Sequence, residues 1–124
     1  MLTVESLFDR IGGEYTINNV VDPFYEKVLS DDLLNPFFEG VCMNSQMAKM
    51  KIFLKAAFGG VSSGTIKNMK KAHVHLVARG LSDKHIDRMI HHMKKSLMEV
   101  GVNSSLTQEA VDVVDSYRDE VLGR

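Results

Sequence analysis

Cysteine occurs once in this sequence, at Cys42, which excludes an internal disulfide, a Cys-x-x-Cys zinc or redox pair, and a Cys-x-x-Cys-His attachment motif. A lone cysteine of this kind reads as a small, partly buried apolar residue, not a nucleophile. Long apolar runs are missing too: no stretch approaches the roughly 20 residues needed to cross a bilayer. The opening MLTVESLFDR has no basic leader before an apolar core. A soluble cytoplasmic protein without a membrane partner is expected. Nor is either charge in excess, since 15 basic side chains against 16 acidic ones leave a net charge of −1. Such a balance gives no overall footprint for DNA or RNA, and nucleic acid is not expected as a partner.

What is present is enough chain for one domain with a real core, so residues 1–124 read as a single domain, expected to be a monomer. Eight methionines and five histidines accompany the absence of tryptophan. Flexible core filling and solvated histidines would account for both, so position has to decide whether they mean more.

Glycines divide the chain into helical blocks. The first has Thr3 as its cap and Leu7, Phe8 and Ile11 as an apolar edge. In the second, Ile17, Val20, Val21, Phe24, Tyr25, Val28 and Leu29 form one broad stripe at helical spacing. Pro23 interrupts it, which predicts either a kink or a restart with Asp22 as cap. DDLLNPFF follows as a tight corner. Met43, Met47, Met50, Leu54 and Ala57 then mark a helix capped by Asn44 and ending at Gly59. VSSGTIKN has no periodicity and reads as a loop, after which Met69, Ala72, His73 and Leu76 share the face of a short helix. Ser82 and Asp83 open a longer helix closed by Gly101, and Ser105 with Gln108 opens the last as a capping box. No segment alternates with period two, so the class is all-α.

His73 lies in the middle of an apolar stripe, whereas His75 is rotated by about 200° to the opposite face. An apolar-face histidine is either a hydrogen-bonded core residue or a ligand, and spacing alone favours the first. His75, His85, His91 and His92 read as solvated or structural.

Taken in order, IGG, FYEKVLSDDLL, PFF, VCMNSQMAKM, FLKAAFGG and NMKKAHVHL resemble the group I truncated haemoglobins from about Leu7 to Leu122. That resemblance implies a two-over-two helical sandwich, the truncated globin fold, around non-covalent haem b, with VSSGTIKN in place of a helix. It also implies His73 as the proximal iron ligand, turning the reading of that residue from core to ligand. Neutral imidazole is a good nitrogen ligand for iron, and its other ring nitrogen normally donates to a carbonyl, here that of Met69. Phe38 corresponds to a phenylalanine stacked on the porphyrin. Phe53, Leu54, Met69, Leu76, Ile86 and Ile90 correspond to pocket walls, and Lys67 to a contact with a haem propionate.

On the distal side the resemblance implies Tyr25, Gln46 and Met50. Bound dioxygen gains negative charge, so a hydroxyl or amide donor in a dry pocket stabilises it by roughly 1.5 to 3 kcal/mol. Met50 replaces the glutamine or leucine of many relatives, Ile66 replaces a loop glycine, and Tyr117 replaces a histidine that becomes bonded to haem in some members. Lys49 has two open roles: a sixth iron ligand, or an outward side chain reaching a propionate or solvent. As ligand it must lose its proton, at a cost of about 4.6 kcal/mol at pH 7.

The implied ligands are O2, NO and CO. The implied functions are oxygen binding or, with an electron-donor reductase, nitric oxide dioxygenation. The alternative is a haem-free helical interaction or metal-binding module. Against a di-iron site, none of the seven glutamates is followed three residues later by histidine.

Overall fold

The computed structural model describes residues 5–59 and 69–124. Their elements are α1 (Leu7–Arg10), α2 (Gly13–Leu29), a 3-10 turn (Asn35–Phe38), α3 (Met43–Gly59), α4 (Met69–Ala78), α5 (Asp83–Glu99), α6 (Ser104–Asp115) and α7 (Arg118–Leu122). No strand occurs among the described residues. Helix α2 pairs with α3 and α5 with α6, and the pairs are stacked through α2 on α5 and α3 on α6, which makes the two-over-two sandwich. Helix α4 lies against α7. No described helix is long and apolar enough to cross a membrane.

The sandwich is sealed along α2. Ile17, Val20, Val21, Phe24 and Val28 are none more than 1% exposed, and they pack in one cluster with Met93, Leu97, Ala110 and Val111 of α5 and α6, whereas Leu29, expected in the same stripe, is exposed at the last position of α2. This burial explains why Pro23 does not restart the helix: α2 runs unbroken from Gly13 to Leu29 and Asp22 caps nothing. An interior proline costs about 3 kcal/mol. Five buried apolar side chains at 1.5 to 3 kcal/mol each outweigh it. The carbonyl that loses its partner belongs to exposed Asn19, where water can reach it.

Both α4 and α5 end in the same way. Gly101 (φ +100°) donates to Met98 O at 3.1 Å and Val102 to Leu97 O at 3.0 Å. Gly80 (φ +102°) donates to Val77 O and Leu81 to Leu76 O, both at 3.0 Å. Each is a Schellman stop, whose left-handed position suits glycine.

The starts differ from the sequence reading. Thr3 lies outside the described residues, and Ser6 caps α1 by accepting from the Asp9 amide at 3.2 Å. Asn44 sits inside the first turn of α3, whose first carbonyl acceptor is Cys42 O, 3.0 Å from the Gln46 amide. At α6 the cap is Asn103, accepting from the Leu106 amide at 2.9 Å, while Gln108 bonds Asp112 instead of closing a box at Ser105. With Gly101 and Val102 ending α5, Asn103 is the first capping residue available. The last block also divides, because the chain turns at Ser116 and Tyr117 between α6 and α7.

Candidate functional site

Tyr25 stands on the core face of α2 at 2% exposure, its ring edge-on to Phe24 at 4.9 Å and to Phe38 at 5.8 Å. Gln46, in the first turns of α3, donates its Nε2 to the Tyr25 hydroxyl at 3.0 Å. Burial pushes the phenol up to about 12, and the Gln46 bond only partly offsets this. The phenol is therefore neutral across the physiological range, and its own proton has no acceptor among the described residues.

One turn beyond Gln46, Met50 is half-buried, and Phe53 continues the same face with its ring edge-on to Tyr117 at 5.4 Å. Leu54, next to it, is fully buried. Lys49 lies about 60° from Gln46 and about 100° from Met50 around the helix. It is exposed and makes no ion pair among the described residues.

On α4, Met69 is buried and His73 and Leu76 are half-buried, while Ala72, expected on the same face, is exposed. His73 Nδ1 lies 2.7 Å from Met69 O. A carbonyl only accepts, so Nδ1 is the donor here, and in a neutral imidazole that leaves the lone pair on Nε2 for a ligand bond. The far end of α4 is fastened to the corner that bears Phe38: Arg79 donates to Pro36 O at 2.9 Å and its guanidinium lies 5.5 Å over the Phe37 ring. Ile86 and Ile90 of α5 are half-buried. Lys67, Ile66 and the rest of VSSGTIKN lie outside the described residues.

These groups fit an iron tetrapyrrole. The donors are one imidazole with a fixed tautomer, one neutral phenol and one amide. Of the surrounding apolar side chains, Phe38, Met50, Phe53, Leu76, Ile86 and Ile90 are only half covered by the protein itself. Hard-cation chemistry has no matching donors, since no group of three His, Cys, Asp or Glu side chains forms a metal cage among the described residues.

Cys42 is exposed, not partly buried, because it precedes α3 instead of joining its stripe. The Ser45 amide and hydroxyl hold its thiol below the usual value. His85 is buried and structural: its Nδ1 accepts from the Ser82 amide at 2.9 Å and its ring meets Phe37 at 5.0 Å. His92 is half-buried against Asp31 at 2.7 Å, with Arg88 3.3 Å from the same carboxylate. Pairing of this kind leaves no mark in helical periodicity. The even charge balance also conceals a segregation. Between Glu39 and Asp83 there is no acidic side chain and there are seven basic ones, which a running count of charge would have revealed.

Fold and site together define a haem-binding globin of the two-over-two class. Residues 6–122 match the model of the bacterial-like globins, and the chain belongs to that family. It is 36% identical over 124 residues to a group 1 truncated haemoglobin from Synechocystis, covering 98% of this chain and all of that one. A group 1 truncated haemoglobin from Chlamydomonas moewusii is 37% identical over 94% of this chain and 68% of its own length. Among solved structures, the 2/2 haemoglobin of Synechococcus, in the cyanomet state with covalently attached haem, aligns with a TM-score of 0.88 at 35% identity, covering 97% of this chain and all of that one. The truncated haemoglobin of Tetrahymena pyriformis in its Fe(III) form aligns at 0.84 and 29% identity, with the same coverage. The resemblance to group 1 truncated haemoglobins thus holds over nearly the whole chain, and haem-based ligand binding is the activity it supports.

Proposed function

We propose that the protein holds haem b non-covalently through His73 Nε2 and reversibly binds O2, and also CO and NO, on the side of Tyr25 and Gln46. The observation that carries this reading is the 2.7 Å approach of His73 Nδ1 to Met69 O, which presents the opposite ring nitrogen as a lone-pair donor. When bound, haem supplies an iron with one coordination position for a diatomic gas. The chain supplies everything that discriminates there. Tyr25 donates its proton to a ligand that gains negative charge. Gln46, by donating to the phenol oxygen, holds the ring in place and makes its proton a stronger donor. Phe38, Phe53, Leu54, Met69, Leu76, Ile86 and Ile90 provide apolar walls, and Met50 keeps the distal face free of a second amide. The propionates fall to Lys67 and to Lys49, whose exposed position leaves the gas side open.

Attachment is non-covalent in this reading because Tyr117, packed edge-on against Phe53, replaces the histidine that some relatives use to bond haem. Ferric, ferrous and carbonyl-bound absorption spectra of protein supplied with haem test the proposal, and all haem should extract into acidified organic solvent. A colourless protein after adequate haem supply would overturn it. A low-spin ferric spectrum abolished by Lys49→Ala would instead assign Lys49 as the sixth ligand.

A further inference from the structure

The segregated charge points to a partner. The acid-free segment from Gly40 to Ser82 contains α3 and α4, the two helices that carry Gln46 and His73. Seven of the fifteen basic residues lie in it, leaving eight, with all sixteen acidic residues, to the rest of the chain. Two haem propionates cannot account for seven cations. Lys55 is paired with Glu14 at 2.9 Å and Arg79 is bound to the corner, but Lys49, Lys51, Lys70 and Lys71 make no ion pair among the described residues. On α4 the outward face runs Lys70, Lys71, Val74, His75, all exposed, with Val74 at 60%. Beside it a cleft of about 170 Å³ between α4 and α7 is lined by Lys70, Val74, Val77, Val121, Leu122 and Gly123. Of the α7 carboxylates, Asp119 is held by Arg124 at 2.8 Å, and Glu120 is exposed and does not line the cleft. An apolar centre with a basic rim is the anatomy of a protein docking site, and its charge selects an acidic partner.

We infer that the outward face of α4 docks an acidic one-electron donor protein of the iron–sulfur or flavin class. This rests on the haem reading above. The donor gives one electron, the ferric iron becomes ferrous, and the donor is left oxidised by one electron. The site lies on the proximal helix, so docking there leaves the gas side unobstructed. Charge spread over α3 and α4 orients the approaching donor, an effect worth about 10- to 1,000-fold in association rate at low salt.

The experiment uses the haem-loaded protein and an acidic plant-type ferredoxin. Dithionite under carbon monoxide first produces the ferrous carbonyl spectrum. If it does not, the haem reading fails and the docking question is decided by binding alone. The second-order rate of reduction by reduced ferredoxin is then measured against ionic strength, and amide shifts are mapped with oxidised ferredoxin. The expected result is a rate that falls steeply with salt, with shifts confined to α4 and its neighbours. The double variant Lys70→Glu, Lys71→Glu should react about tenfold more slowly at low salt, whereas Lys94→Glu, Lys95→Glu, the same charge change on α5, should stay within about twofold. Equal effects of the two pairs, a salt-independent rate, or shifts away from α4 would overturn the proposal. So would co-sedimentation with phosphatidylserine vesicles combined with no response to ferredoxin, which would make the partner a membrane surface.

Discussion

Along α2 and α5, Ile17, Val20, Val21 and Leu97 are completely buried in one cluster closed by side chains of α3 and α6. Around α3 and α4 the apolar side chains Phe38, Met50, Phe53, Leu76, Ile86 and Ile90 are equally hydrophobic but only half covered. The first region is a scaffold whose energy is spent within the protein. The second keeps apolar area available to a large flat group, and it surrounds the donors that such a group needs. Stability and binding are thus divided between two regions of the molecule, although Tyr25 of α2 and Ile86 and Ile90 of α5 belong to the second.

Substitutions should separate the regions. The largest effect on folding is expected from Leu97→Ala, which opens the sealed seam and should cost about 2 to 5 kcal/mol. Denaturant unfolding of the haem-free protein measures this, and the same experiment on Phe53→Ala should give a clearly smaller loss, because that side chain is already half exposed. Equal losses would break the comparison. Haem should stabilise the protein by roughly 4 kcal/mol at a thousandfold excess over its Kd. Phe53→Ala should reduce that gain more than Leu97→Ala does.

Next in size is Tyr25→Phe. Loss of the phenol proton should speed O2 dissociation about tenfold, or about 1.4 kcal/mol, read by stopped-flow against a competing ligand. With the phenol pushed up to about 12, the wild-type off-rate should also be flat from about pH 6 to pH 10. A rate change in that window would mean that another group supplies the hydrogen bond.

A smaller effect is expected at the corner. Burial opposes ionisation of Asp31, but His92, the Leu33 amide and Arg88 outweigh it and hold the carboxyl below its usual value. A carboxylate depressed in this way adds stability above its unfolded value and loses it as pH falls through the folded one. Asp31→Asn should therefore lose stability at pH 7, and its difference from wild type should shrink in acid as the wild-type carboxylate takes up its proton.

The sequence made the helical blocks legible because apolar spacing is strong and repeated, and Tyr25 and His73 stood out as polar groups inside apolar stripes. Caps were less legible. Asn44 against Cys42 and Ser105 against Asn103 are choices between neighbouring residues, decided by where the preceding turn ends. Of the two alternatives at Pro23, the restart did not occur, because local backbone preference is weak beside five buried side chains. The Gln46 bond to Tyr25 and the Asp31 cluster join residues 21 and 61 positions apart. Such pairs are set by the packing of α2 on α3 and on α5.

Replacement of the proximal ligand is the most direct test. Haem-free wild type and His73→Gly would be titrated with haemin, reduced, and recorded with and without free imidazole. Wild type should give a five-coordinate ferrous spectrum, His73→Gly should lose stable haem binding, and imidazole should restore the wild-type spectrum. Full haem occupancy and an unchanged ferrous spectrum in His73→Gly without imidazole would contradict the assignment.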